Sequence, residues 1–302
     1  MAKKLNISAL AEKLSQLNSN SGGSGSSMGF LTVKDGRNVI RVLPPRDDMD
    51  SFAVEAWVHF GIGKNDQNKS GQMVTCPTTH DENARCPICE LSKEFYGLSK
   101  KKDDSYSKQA KAYFRKKRVY YNALDRGEDL SVYERREEEV DGETKYVWYN
   151  TEKDEKESPV KVLATGIGVY KDIISLIIDP EYGDITDAEE GLDLIINKTG
   201  SGQFNTKYKV STVRKESEIG LEHWESSLND LTPLLKVKSY DDIAKILDGN
   251  TEGGETTEED TNDDIKDAGD MLPDKNATDD SDGDDGLQDE IKAAMARRQA
   301  KK

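Results

Sequence analysis

Between about residues 30 and 249, apolar and polar positions alternate with the period of a half-buried strand. Segment 38–45 (NVIRVLPP) alternates and stops at two prolines. Segment 52–60 (FAVEAWVHF) alternates likewise, and 71–76 (GQMVTC) answers it across the polar turn 61–71. Residues 117–124, 145–150, 192–197 and 203–213 also read as strands, the last two joined by the turn KTGSG at 198–202. Helical spacing surfaces twice. Val169, Ile173, Leu176 and Ile177 recur before Asp179-Pro180, and 239–247 carries Ser239 as a cap and Gly249 as a stop. Short strands with few helices predict a compact β-barrel or sandwich with inserted pieces, not a parallel α/β sheet.

The two ends follow other patterns. Residues 1–20 place Leu5, Leu10, Leu14 and Leu17 near helical spacing beside Lys3, Lys4 and Lys13, and a flexible SGGSGSSMG linker follows at 21–29. Such an arm is expected to dock on something other than its own domain, such as a neighbouring copy; the plainer reading is a frayed terminus. At the other end, residues 251–290 hold 17 acids and 2 lysines, and residues 291–302 hold five bases and no acids. The whole chain of 302 residues has a net charge of −16 and is 34% apolar against 34% charged. The expectation is therefore a folded middle at 30–249 and a solvated, self-repelling tail at 250–302. That tail serves either for solubility or for interaction, competing for a basic surface on its own chain. No run approaches 18 apolar residues and no basic-then-apolar leader opens the sequence, so neither a membrane protein nor a secreted one is expected.

The most specific chemistry lies in 76–90 (CPTTHDENARCPICE). Cys86 and Cys89 form a C-x-x-C knuckle, and Cys76 lies ten positions before it. An odd number of cysteines bunched within fourteen positions points away from disulfides and towards a reducing compartment. Three thiolates can converge on one zinc ion, which needs a fourth donor. His80 is the local candidate. His59 is the favoured one, because pairing 52–60 with 71–76 as a hairpin sets it opposite Cys76, about 5 Å away across the strands. Four protein ligands make a closed, structural site. The competing readings are inert buried thiols and a redox pair at Cys86 and Cys89, which would need a thioredoxin-like βαβ context absent here.

Directly after the knuckle, residues 92–126 carry eleven bases and four acids, with seven aromatic rings threaded among them. The rings are Phe95, Tyr96, Tyr106, Tyr113, Phe114, Tyr120 and Tyr121, and the densest piece is 113–122 (YFRKKRVYYN). Cations neutralise phosphates, and flat rings accept unpaired bases, so this mixture favours single-stranded nucleic acid. The plain alternative is a solvated basic face over core tyrosines. Arg41 and Arg46 on an early strand, and Lys207, Tyr208 and Lys209 on the late hairpin, are expected to extend the same groove.

In order along the chain come a basic arm, VIRVLP at 39–44, His59 with Cys76-x9-Cys86-x2-Cys89, RKKRVYYN at 115–122 and an acidic tail. In this organisation the chain resembles the single-stranded DNA-binding (helix-destabilising) replication proteins of T-even-type tailed phages. The resemblance implies a mainly β protein with some α. It would have an OB-fold core, a zinc subdomain at about 55–125 that is closed by His59, Cys76, Cys86 and Cys89, and a DNA cleft between the two. It implies Arg115, Lys116, Lys117, Arg118, Tyr120 and Tyr121 as DNA contacts, with Tyr96, Tyr106, Phe204 and Tyr208 joining them; the basic aromatic pattern by itself adds Tyr113 and Arg41. It also implies self-association along the strand through Lys3 and Lys4. Phage replication and recombination proteins would bind the acidic tail, in the cytoplasm of the infected bacterial host. The chain departs from the family's pattern in three places: 81–85 (DENAR) has no aromatic ring, the arm's basic cluster is thinned to Lys3-Lys4-x3-Ser8, and 287–302 adds a basic segment after the acids.

The expected activity is non-enzymatic, sequence-independent coating of single strands in replication, recombination and repair. An alternative is a zinc-stabilised adaptor that binds proteins through its acidic tail. An enzyme is not expected, because KTGSG lacks the Walker order and no zinc-protease helix or deaminase His-x-Glu is present.

Overall fold

The computed structural model describes residues 28–65, 68–99, 105–140, 143–200 and 205–249. The arm with Lys3 and Lys4, the linker as far as 27, Phe204 and the tail from 250 lie outside the described residues. In chain order the strands are β1 (Phe30–Leu31), β2 (Gly36–Val42), β3 (Ala53–Ile62), β4 (Gln72–Thr75), β5 (Lys116–Asp125), β6 (Tyr133–Val140), β7 (Glu143–Asn150), β8 (Glu155–Lys156), β9 (Lys161–Gly166), β10 (Leu194–Thr199) and β11 (Lys207–Thr212). The helices are α1 (Pro87–Ser99), α2 (Ser105–Ala112), α3 (Ile167–Ile178) and α4 (Tyr240–Leu247). The fold is mixed, with sheet at its core. Among the described residues no helix is long and apolar enough to cross a membrane.

The main sheet runs β1-β9-β5-β2-β10-β11, and β3 with its partner β4 branches from β5. Along one edge of β5, β3 pairs with its first half (Ala53 opposite Tyr121, Val58 opposite Lys116) and β2 with its last residues (Val42 opposite Ala123, Ile40 opposite Asp125). The two prolines after Leu43 end β2 at that handover, and Leu43 N donates to Asn122 O at 2.9 Å. One core takes side chains from both ends of the sheet, Leu31 of β1 as well as Ile196 and Tyr208 of β10 and β11, with Val169 and Ile173 of α3. The sheet therefore curls about it. A strand covered on both faces has no polar side, and β5 is buried from Arg118 to Leu124.

That coverage corrects three expected nucleic-acid contacts. Tyr121 is fully buried, its ring 5.9 Å from that of Phe52, and its hydroxyl bonds Thr165 Oγ1 at 2.9 Å. Tyr120 faces the opposite core with Val58, Val162 and Leu231, and its hydroxyl reaches Met73 Sδ at 3.7 Å. The Tyr121 ring offers no face to a base, and Tyr120, 1% exposed, meets the cleft described below only at its wall. Arg41 is 0% exposed. It reaches Asp193 Oδ1 at 3.3 Å and the carbonyl oxygens of Asp187 and Ser217 at 2.6 and 2.8 Å, so it clamps two loops and lines no groove. Arg46 pairs with Asp48 at the surface.

β10 and β11 form the expected hairpin, and Gly200 has φ +82°, where a side chain would collide with the Asn205 carbonyl. α3 and α4 lie where the apolar spacing placed them, with the Ser239 hydroxyl accepting from Asp242 N. Four elements were not expected: α1, α2, and the strands β6 and β8 that flank the expected strand β7 in a small antiparallel sheet. From 213 to 235 the chain forms a strap without strands. It is fastened by Arg126 to the carbonyls of Glu218 and Ile219, by Trp148 Nε1 to Ser227 Oγ, and by Asn122 to Asn229.

Candidate metal centre and nucleic-acid surface

β3 and β4 pair with His59 opposite Val74, not Cys76, two residues from the expected register; an irregularity follows between His59 and Ile62. Because the slip is even, parity is kept. Cys76, whose N–H donates to Trp57 O at 2.7 Å, therefore shares a face with His59 as its diagonal neighbour. A single 3-10 turn, Pro77–Thr79, then carries the chain away. Cys86 precedes Pro87, the first residue of α1, and Cys89 falls in that helix's first turn. The helix N-terminus favours thiolate at both positions.

The four donor atoms of His59, Cys76, Cys86 and Cys89 lie within 4.8 Å of one another. His59 Nε2 is 3.5 Å from each of the Cys86 and Cys89 sulfurs, and Cys76 Sγ is 3.7 Å from Cys89 Sγ. Bonds of about 2.3 Å to sulfur and 2.0 Å to nitrogen around a tetrahedral ion give edges of about 3.8 and 3.5 Å. The cluster thus fits one four-coordinate metal ion. His80 stands apart, its Nε2 donating to Leu235 O at 2.7 Å. Nδ1 of His59 faces the Tyr113 carbonyl at 2.9 Å, so it donates there and leaves Nε2 to the ion. Burial lowers the His59 pKa, but hydrogen bonds and charge from Cys76 and Cys86 outweigh it and hold it up at about 9. Hydrogen bonds from Cys86 and Cys89 push the Cys76 thiol well down, and the same contacts push Cys89 up. A bound ion replaces this proton-sharing set.

Around the cluster a second apolar core joins Ile62 and Val74 of the hairpin to Ile88, Leu91 and Phe95 of α1 and to Ile243, Ile246 and Leu247 of α4. Tyr106 and Tyr113 are half-buried in it, their rings 6.3 and 6.0 Å from that of Phe95. These two rings are packing residues first. Tyr96 and Phe114 are exposed at 47% and 45%.

Strand alternation divides the basic run into two sets. Lys117 lies opposite Trp57, and its ammonium sits 5.6 Å from that ring's centre, with the Arg115 guanidinium over the same ring at 4.6 Å. Lys117 also pairs with Glu55 at 2.5 Å. Lys116 and Arg118 face the other way, and Arg118 lies 5.3 Å over the ring of Phe60. Arg118, 7% exposed, forms part of a cleft lined by Phe30, Phe60, Met73, Tyr120, Gly166 and Tyr208. Gly166 caps α3 without a side-chain hydrogen bond. Trp57, Phe60 and Phe30 were missed in the sequence, although the parity of β3 against β5 would have placed Trp57 beside Lys117.

No family model and no curated protein matches the chain.

Proposed function

We propose that the chain is a non-enzymatic single-stranded DNA-binding protein whose curled sheet is an OB-fold and whose Cys3His cluster holds one structural zinc ion. The single observation that carries this reading is the cleft in which Arg118 lies over Phe60, with Phe30 and Tyr208 on its walls. A half-exposed ring beside a cation suits an unstacked base and its phosphate, without regard to base identity. Trp57 under Arg115 and Lys117 supports a second stretch of the same strand path. Thiolate and imidazole donors at tetrahedral spacing favour zinc over the oxygen-loving magnesium and calcium.

The zinc ion braces the loop that begins the basic strand. Its ligand His59 holds the Tyr113 carbonyl, and Phe114 and Arg115 follow directly. Neighbouring copies through the arm, and replication and recombination proteins through the acidic tail, complete the proposed set of partners.

Titration of a labelled oligothymidine at rising salt tests this reading. Affinity should fall steeply with salt, and Arg118→Ala should weaken binding and lower the salt slope by about 0.7, one phosphate's worth. Weak binding that is flat in salt would remove the reading and favour the adaptor.

A further inference from the structure

Helix α4 belongs to the metal module although it lies 150 residues beyond it in sequence. An eight-residue helix has little stability in water by itself, so α4 depends on what it packs against. Ile243, Ile246 and Leu247 lie directly against α1 and share one buried core with Ile88 and Leu91 of that helix, Ile62 of β3 and Val74 of β4. Those three elements are the ones that carry the four donors: His59 on β3, Cys76 after β4, and Cys86 and Cys89 at the start of α1. The fit is close. Gly63, at φ +71°, has no room for a side chain because the Ile246 carbonyl oxygen lies where its Cβ would point.

Polar contacts tie α4 to the knuckle itself. Arg85 and Glu90 bracket Cys86 and Cys89 in sequence, and Arg85 Nε donates to Glu90 Oε1 at 2.9 Å. Tyr240, the first residue of α4, joins both. Its hydroxyl donates to Glu90 Oε2 at 2.7 Å, and the Arg85 guanidinium lies 4.8 Å over its ring. Downstream, Asn65 Nδ2 donates to Gly249 O at 3.3 Å. Upstream, His80 and Thr75 bond the carbonyls of Leu235 and Leu234 at 2.7 and 3.3 Å.

We propose that metal binding and α4 docking are reciprocally coupled, with Tyr240 as a positioning residue that holds the Cys86–Cys89 knuckle closed on the ion. The ion draws α1 onto the β3–β4 hairpin and so assembles the platform for α4. The docked helix in turn covers that junction and slows release of the ion. Linkage requires both directions to have the same magnitude at equilibrium. Metal occupancy then governs whether residues 240–249 are anchored on the metal module. This inference rests on the zinc reading of the cluster and not on DNA binding.

The test uses the full chain and zinc alone. Hydrogen exchange is followed in the zinc-loaded protein and after chelation. Amides of Ile243 and Asp248, which bond the Ser239 and Ala244 carbonyls, should exchange at least tenfold faster without the ion, while β10 is unchanged. In the opposite direction, zinc release to a coloured chelator should be about tenfold faster in Tyr240→Phe and faster again in Ile243→Ala, with one zinc per chain at the start. The proposal is overturned if α4 stays protected after chelation while α1 exchanges faster, or if both variants release zinc at the parental rate. A chain that takes up no zinc overturns this proposal and the zinc reading together. Zinc uptake with an indifferent α4 overturns this one alone.

Discussion

His59 Nδ1 lies 2.9 Å from the carbonyl oxygen of Tyr113, so the metal cluster and the loop that leads into the basic strand share one imidazole. Nε2 of the same ring is 3.5 Å from two cysteine sulfurs. On the proposed reading, loss of the ion would reach the DNA-binding surface through this side chain. Cys86→Ser should take zinc content from near one per chain to near zero and lower the melting temperature by about 10 °C or more, because the binding energy of a structural ion is folding energy. Metal analysis and a thermal melt with and without chelator check both parts. An unchanged melt would mean the cluster is inert.

Trp57 carries two cations on its ring, whereas Trp148 donates its indole N–H to Ser227 Oγ and packs in another core together with Trp224. Oligonucleotide that engages Arg115 and Lys117 should therefore quench Trp57 selectively. The expected outcome is a saturable fluorescence change that disappears in Trp57→Phe. A change that persists in that variant would place the strand elsewhere.

Arg41 and Arg118 were expected in one groove; the structure sets them apart, and their variants should separate in experiment. Arg41→Met leaves carbonyls of Asp187 and Ser217 without their donor and should cost about 3–5 kcal/mol in urea unfolding. Its effect on DNA affinity, measured on folded protein, should be small. Arg118→Ala should do the reverse.

Glu157 gives the fold an acid-sensitive point. Its carboxylate, 18% exposed, accepts from Asn150 Nδ2 and Lys153 Nζ at 2.8 Å and from Lys161 Nζ at 3.0 Å. Burial pushes its pKa up, but these bonds outweigh burial and hold it at about 2. A pKa below that of the unfolded chain means stabilisation present above about pH 4.5 and lost as pH falls from there towards 2. Glu157→Gln should lose about 1–2 kcal/mol at pH 7, allowing for partial screening, and nothing near pH 2. Urea titrations at three pH values between these limits test it.

Much of the sheet was legible because its strands obey the period of two, and α3 and α4 because their apolar residues recur at helical spacing. The metal donors were legible from cysteine spacing, and the choice of His59 survived a register error only because the slip was even. Elsewhere composition misled. In β6, charged residues run YERREEEV with no apolar alternation, because the strand is held by pairs such as Arg135 over Tyr146 at 4.0 Å and Arg136 over Tyr149 at 4.4 Å. Tyr120 and Tyr121 looked like a base-stacking pair beside Arg118. Their burial follows from tertiary coverage of β5 on both faces, which a single strand's sequence does not announce. α1 and α2 were hidden in the basic stretch, since their apolar face turns to a core that exists only once the cysteines and α4 assemble.

The strap from 213 to 235 joins the curled sheet, the β6–β8 sheet and the route to α4 with bonds from Arg126, Trp148 and Asn122. A band laced through three parts should couple their unfolding. A chain ending at residue 212 would retain every strand and every metal donor described above, yet should lose that lacing and unfold less cooperatively.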